Sequence, residues 1–425
     1  MRGITRRHFT ALLGLGTASM AVPPALLGQA KPKVVVVGGG AGGATAARYL
    51  AKDSGGMLDV TLVEDSPRYT TCFFSNLYVG DVRDFDSITH DYDTLGTMDG
   101  LSIVTDRATA IDREAKTVRL AGGDTLPYDR LILSPGIDLI YDSVPGYSEE
   151  AAEIAPHAWR GGAQTELLKS KLDALESGQN IVVVAPPDPY RCPPGPYERV
   201  SMMAHALKSK GFTDSTISII DAKPNFSKQA LFVEAWDTHY SGMVEWFPPE
   251  IHGGITMVDA EAGTVETDFD TFEGALLNII PAQRAGAIAI DAGFADDSGF
   301  CPIEAASMRS TMDENVFVIG DSSIAGAMPK SAFAANSQAK VAAMTVRGDL
   351  LDARVFPARY ANTCWSLLAP EDGVKVGAQY EAGEDGTIVG TSSFVSDTGE
   401  TADVREETYR ESLGWYESIT DDMFG

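Results

Sequence analysis

Histidine and cysteine are scarce in this 425-residue chain, six and four residues respectively. The histidines are scattered and none falls at a metal-ligating spacing, so no metal site is expected. No Cys-x-x-Cys-His occurs, which excludes a c-type haem attached to this chain. Past the first 30 residues no stretch is long and apolar enough to span a bilayer. Basic residues are short as well, 33 against 60 acidic ones. So negative a chain does not bind nucleic acid or an anionic membrane without help, although it could steer a basic protein partner. No low-complexity segment is present, and the only internal repetition is of two nucleotide-type units.

Residues 1–30 read as an export signal rather than as part of the fold. Thr5-Arg6-Arg7-His8-Phe9 leads into an apolar run from Ala11 to Leu27, and Gly28-Gln29-Ala30 offers a small-residue cleavage site. The twin arginines predict a Tat-type route to the periplasm. The competing reading, an uncleaved anchor, is opposed by the short span and by Pro23-Pro24. After cleavage, 30 basic and 60 acidic residues leave a net charge of about −30. The remaining length suits two or three domains.

What the chain does have begins at Val34-Val35-Val36-Val37, which runs into Gly38-x-Gly40-x-x-Gly43. This predicts the strand, turn and helix of a dinucleotide-binding unit, with the helix over Ala41 to Lys52. Gly38 makes the turn, Gly40 lets the backbone approach a pyrophosphate, and Gly43 lets the helix pack on the strand. A second strand ends at Glu64, 21 residues beyond Gly43. There a carboxylate accepts from a ribose 2′-hydroxyl, which suits FAD or NAD over NADP. A β-meander is expected next, over Leu101 to Val104, Ala108 to Asp112 and Thr117 to Leu120. The strand before Ser134-Pro135-Gly136 then leads out of the unit, with Gly136 relieving a close approach of chain to cofactor.

A second unit of the same type follows a linker containing Trp159. It has a strand over Ile181 to Ala185, a helix from about Arg199 to Lys210 and a strand over Thr216 to Asp221. Where a nicotinamide-binding turn needs glycines, the chain reads Pro186-Pro187-Asp188-Pro189-Tyr190-Arg191-Cys192-Pro193-Pro194-Gly195-Pro196. Prolines offer no N–H to a phosphate, so the unit is expected without its nicotinamide site. The chain returns to the first domain near Arg284. The strand before Gly320-Asp321 places that acid on the ribityl chain of a flavin, and a helix is expected from Ser331 to about Val346, after Met328-Pro329-Lys330. The expectation is an α/β protein with two Rossmann-like, glutathione reductase-like dinucleotide-binding domains and a C-terminal α+β domain. Its parts are an FAD-binding domain at 31–146 and 284–354, a second Rossmann-like domain at 147–283 and a C-terminal domain at 355–425.

Cys192 lies beyond the carboxyl end of a parallel strand, the usual ligand position in such sheets. If the C-terminal segment folds back, Cys364 meets it either as a redox disulfide or as a structural staple. Cys301 reads as a small core residue. Cys72 follows the second strand where the chain passes the edge of a flavin ring. By position it is an inert thiol, a partner for another cysteine, or the point of covalent flavin attachment.

Taken together, Thr71-Cys72, Ser75-Asn76, Arg191-Cys192-Pro193-Pro194-Gly195-Pro196-Tyr197-Glu198-Arg199, Phe226-Ser227-Lys228-Gln229, Gly320-Asp321, Met328-Pro329-Lys330-Ser331, Asn336-Ser337-Gln338 and Asn362-Thr363-Cys364 make the chain resemble the flavoprotein subunit of flavocytochrome c sulfide dehydrogenase. The resemblance implies FAD held through an 8α-thioether at Cys72 and an active-site disulfide between Cys192 and Cys364. Glu198, six residues after Cys192, is the candidate acid–base group or else an acid facing the dipole at its helix N-terminus, and Lys330 is counted among the cofactor-binding residues. The resemblance also implies a heterodimer with a small c-type cytochrome, commonly dihaem, that carries the haem, and sulfide as substrate. Three alternatives differ in electron acceptor or role. They are a sulfide:quinone oxidoreductase, a thiol-redox accessory of a sulfur-oxidation system and a nicotinamide-dependent disulfide reductase.

Overall fold

A computed structural model describes residues 30–425, so the export signal expected at the N-terminus lies almost wholly outside the described residues. The first sheet is parallel and five-stranded, in the order Val316–Val318, Arg130–Leu133, Lys33–Val37, Asp59–Glu64, Leu101–Thr105. Val34, Val36, Leu62, Leu131 and Ile132 are fully buried, as expected of strands covered on both faces. Each such side chain contributes about 1.5–3 kcal/mol by leaving water. The order of strands reverses between Lys33–Val37 and Arg130–Leu133, which run parallel, so the crevice opens beyond their carboxyl ends, at Gly38 and at Ser134 to Gly136.

The helix after the glycine turn runs Gly43–Ser54 and packs on the long helix Ala332–Leu351. Both present buried alanines to the contact, including Ala44, Ala47, Ala335, Ala339 and Ala342, which lets the backbones approach closely. A Cβ at Gly43 would lie 1.8 Å from the carbonyl oxygen of Gly38, so only glycine fits there. Ser331 caps the long helix, its Oγ accepting from the amide of Ala334 at 3.0 Å.

One expected element is placed differently. Leu101–Thr105 is not the first strand of the meander but the outer strand of the parallel sheet, paired with Asp59–Glu64 from Val60↔Leu101 to Glu64↔Thr105. The meander comprises Ala108–Asp112, Thr117–Leu120 and Thr125–Pro127. Periodicity in a short apolar run does not tell a parallel edge strand from an antiparallel one.

The second parallel sheet has the order Val244–Phe247, Ile217–Asp221, Ile181–Ala185, Leu276–Ile279. Its helix starts at Gly195 and runs to Ser209, four residues earlier than expected. Pro196 is tolerated because the first helical turn has no intrahelical use for its N–H. The C-terminal part is a three-stranded antiparallel sheet, Arg359–Ala369, Asp372–Ala382 and Ile388–Val395, followed by the helix Ala402–Phe424. The strand Arg359–Ala369 lies against both the cysteine-turn helix Gly195–Ser209 and the long helix, which carries Cys364 to the boundary of the two sheets.

Candidate active site

Two cavities meet at this boundary. The larger, of about 430 Å³, is lined by the loop from Gly38 to Gly42, Glu64, Gly136, Gly320 and Asp321. Gly38 has φ of +96°, and a Cβ there would lie 2.3 Å from the carbonyl oxygen of Ser134. Gly136 has φ of +69° and a Cβ on it would meet no atom of the chain. Glu64 accepts from the amide of Gly39 at 2.6 Å, and burial pushes its carboxyl up to about 7, with Asp65 adding to the effect.

Asp321 is the acid that shows what the cavity is built for. The residue is half-buried, its buried Oδ1 has no hydrogen-bond partner among the described residues, and the guanidinium of Arg191 stands 3.9 Å from its other oxygen. An orphaned buried carboxylate oxygen facing a cradle of glycine backbone fits the hydroxyls of a dinucleotide. The residues present therefore fit FAD.

The smaller cavity, of about 80 Å³, holds Cys192, Cys364 and Glu198. Cys72 lines both cavities, as do Phe73 and Arg191. Phe74 turns the chain after Cys72 with φ of +69°, and the hydroxyl of Ser75 donates to the carbonyl of Cys72 at 2.6 Å. All four cysteines are free thiols in the structure, so the expected disulfide between Cys192 and Cys364 is not formed there. Burial raises the thiol of Cys192 well above its usual value, and Cys364 adds to the rise. Burial also raises Cys364, opposed by a hydrogen bond from Asn362 and by the charge of Lys228.

Glu198 is enclosed. Its Oε2 accepts from Asn76 Nδ2 at 2.7 Å and its Oε1 from the amide of Leu367 at 2.8 Å. Burial raises its carboxyl, and those two bonds pull the other way. Asn76 is held in turn by Arg199, whose Nε donates to Asn76 Oδ1 at 3.1 Å and whose other nitrogens reach the carbonyls of His157 and Ala158. Burial brings Arg199 down to about 10.

One of the sequence candidates stands elsewhere. Lys330 lines neither cavity: its ammonium donates to the carbonyls of Asp321 at 2.8 Å and Ser323 at 2.9 Å, over the ring of Phe300. It shapes the loop that carries Asp321 rather than facing the cradle. Cys301 is fully buried, outside both cavities, and burial pushes its thiol up to about 12. Conversely Lys228, Asn362, Ser331, Arg199 and Asn76 belong to the site without having been assigned a role. All five fall inside the sequence motifs, which was the signal available for them.

The second unit's crevice is filled from within. Asp221, at the end of its strand, accepts from Tyr197 Oη at 2.5 Å, Lys223 Nζ at 2.7 Å, Trp246 Nε1 at 3.0 Å and the amide of Lys223 at 3.1 Å. Lys223 Nζ also donates to the carbonyl of Pro186 at 2.6 Å, in the proline-rich turn.

Comparison with known proteins agrees with this geometry. Residues 32–184 match the pyridine nucleotide-disulphide oxidoreductase family. Residues 165–281 match the central part of the sulfide dehydrogenase (flavocytochrome c) flavoprotein chain, and residues 356–424 match the flavin-binding part of flavocytochrome c sulphide dehydrogenase. The sulfide dehydrogenase (flavocytochrome c) flavoprotein chain of Chlorobaculum thiosulfatiphilum is 54% identical over 44 residues, 10% of this chain and 90% of that one. The mitochondrial sulfide:quinone oxidoreductase of Dictyostelium discoideum is 22% identical over 73% of this chain and 69% of its own. The sulfide:quinone oxidoreductase structure from Aquifex aeolicus superposes with a TM-score of 0.68 over 92% of each chain at 16% identity, a likeness of fold. The chain belongs to the flavoprotein chain family of flavocytochrome c sulfide dehydrogenase.

Proposed function

We propose that this chain is the flavoprotein subunit of a periplasmic sulfide dehydrogenase that passes electrons to a c-type cytochrome subunit. The FAD-binding, second Rossmann-like and C-terminal domains follow the boundaries given above. The observation that carries the proposal is the position of Cys72, on the wall shared by a dinucleotide cradle and a cavity holding two more cysteines and a hydrogen-bonded glutamate. In this reading Cys72 holds FAD by a thioether, Asp321 and Glu64 take its hydroxyls and the glycine loop takes its pyrophosphate. Bound FAD supplies a two-electron acceptor that can release electrons singly.

The remaining chemistry belongs to the chain. Cys192 and Cys364 cycle between a disulfide and an opened state in which one carries a persulfide and the other is a thiolate. Glu198, with its raised carboxyl, holds or gives up a proton beside them. All three are half-buried in a cavity whose walls include the stacked rings of Phe333, Trp365 and Trp415.

The test is to denature the purified protein in acid and filter it. Yellow colour staying with the polypeptide, and lost in Cys72→Ser, supports the attachment; colour lost from the unsubstituted protein removes it. The likeness to sulfide:quinone oxidoreductases favours a quinone acceptor as the second reading. No helix among the described residues is long and apolar enough to cross a membrane. Sulfide-dependent reduction of cytochrome c exceeding that of a soluble quinone favours the first reading, and the reverse order favours the second.

A further inference from the structure

Lys228 caps the helix Gln229–His239 with φ of +61° and is only 9% exposed. Its ammonium donates to the carbonyl of Cys364 at 3.0 Å and to Ser366 Oγ at 2.8 Å. Both acceptors are neutral, and among the described residues no carboxylate lies within ion-pairing distance. A buried cation with neutral partners alone is costly, and burial brings its pKa down to about 8. The groups near it that can carry negative charge are the sulfurs of Cys364 and Cys192 and the carboxyl of Glu198.

A second observation concerns the direction of one amide. Ser331 Oγ accepts from the amide of Ala334, so its own proton is free for Asn362 Oδ1, to which it is bonded. That bond fixes the Asn362 side chain with its NH₂ toward Cys364 Sγ, 3.4 Å away. Nothing equivalent exists at Cys192. Among the described residues no donor reaches its sulfur, and its amide is committed to the carbonyl of Lys330.

We propose that Lys228, Asn362 and Ser331 form a thiolate-holding site at Cys364, so that hydrosulfide attacks the sulfur of Cys192 and Cys364 is the leaving sulfur. This rests on the reading of the two cysteines as a redox disulfide. The bond between the two cysteine sulfurs breaks and one forms between the incoming sulfur and Cys192 Sγ. The proton stays on the incoming sulfur, which is oxidised to the sulfane level, and the bonding pair goes to Cys364, reduced to a thiolate. In thiol–disulfide exchange the more stable thiolate leaves faster, and the donors are on one side only. Lys228, Asn362 and Ser331 favour that thiolate, while burial, Glu198, Cys192 and Tyr380 oppose it. Asn362 touches the reacting sulfur, whereas Lys228 and Ser331 are positioning residues.

The experiment treats oxidised holoenzyme with sulfite, which leaves an S-sulfonate on the attacked cysteine, then alkylates the freed thiol and maps the peptides. The expected result is sulfonate on Cys192 and alkylation on Cys364. The reverse labelling overturns the proposal. Both cysteines alkylating before sulfite is added overturns the disulfide reading itself, a separate failure. Two variants test the donors. Asn362→Leu should slow the sulfite opening roughly tenfold, the scale of one lost hydrogen bond to a charged group. At pH 7, where its ammonium is charged, Lys228→Met should also slow the sulfite opening roughly tenfold, with Lys228→Arg restoring the rate. An unchanged rate in Lys228→Met overturns the role of Lys228.

Discussion

The amide of Cys192 donates to the carbonyl oxygen of Lys330 across 2.8 Å, joining the cysteine turn of the second unit to the segment that leads into the long helix. Cys192 makes this bond in the left-handed region, with φ of +58°. The geometry also aims its side chain at the space over Gly195, where a Cβ would lie 2.9 Å from Cys192 Sγ. The reactive sulfur is thus held by a strained main chain, and Gly195 leaves it room.

That strain gives a stability order opposite to the usual one. In most positions glycine is less stable than alanine by roughly 0.5–1 kcal/mol, but a left-handed L-residue costs about 1–2 kcal/mol. Cys192→Gly should therefore be more stable than Cys192→Ala by about 0.5–1 kcal/mol in urea unfolding, with both lacking sulfide oxidation. Alanine proving the more stable would show that the turn is relaxed.

A second prediction concerns acid. His157 is 3% exposed, and its Nδ1 accepts from the amide of Trp159 at 2.8 Å. Burial, with Arg160, Arg199 and Arg191 nearby, holds it down to about 3. Between that value and the ordinary 6.5 the unfolded chain binds a proton that the folded chain does not, so stability rises with pH there. The histidine's contribution is fully present above about 6.5 and drains away as pH falls towards 3. Urea midpoints measured from pH 7 down to 4 should fall for the unsubstituted protein and fall less steeply for His157→Gln. Parallel slopes would remove His157 from the acid response.

The glycine loop, Gly136, Asp321 and the clustering of Cys72, Cys192 and Cys364 were legible in the sequence. In the loop, backbone geometry admits one residue type within a short window, and Gly43 against the carbonyl of Gly38 is the plainest instance. The thiolate-holding residues were not legible as such. Lys228 reaches Cys364 across 136 positions and Ser331 reaches Asn362 across 31, and no local pattern records such pairings. Lys330 shows the converse error. It stands beside the right residues in the sequence, yet its ammonium is taken up by two carbonyls, which only the fold of the loop decides. Leu101–Thr105 was misplaced because its partner strand, not its own composition, determines which sheet it joins.

The last prediction concerns the second unit. An acid at the end of its second strand is where a nicotinamide-binding unit holds a ribose, and Asp221 occupies that position, level with Ala185 across the sheet. Here its carboxylate takes four donors from its own chain, and Lys223 spans from it to the proline-rich turn where a pyrophosphate would otherwise sit. A dinucleotide entering this crevice would have to strip a buried ion pair, a cost that no contact on offer there repays. Added NADH should therefore neither reduce the flavin nor raise the melting temperature. The same contacts make Asp221 structural: Asp221→Ala should cost about 3–5 kcal/mol, because Lys223 is left buried without its counter-charge. Adding Lys223→Met should recover part of that loss, and sulfide turnover per folded molecule should stay near that of the unsubstituted protein in both. Recovery is the discriminating outcome, since a loss that persists in the double variant would place the stabilisation in the bonds to Tyr197 and Trp246 instead of in the ion pair.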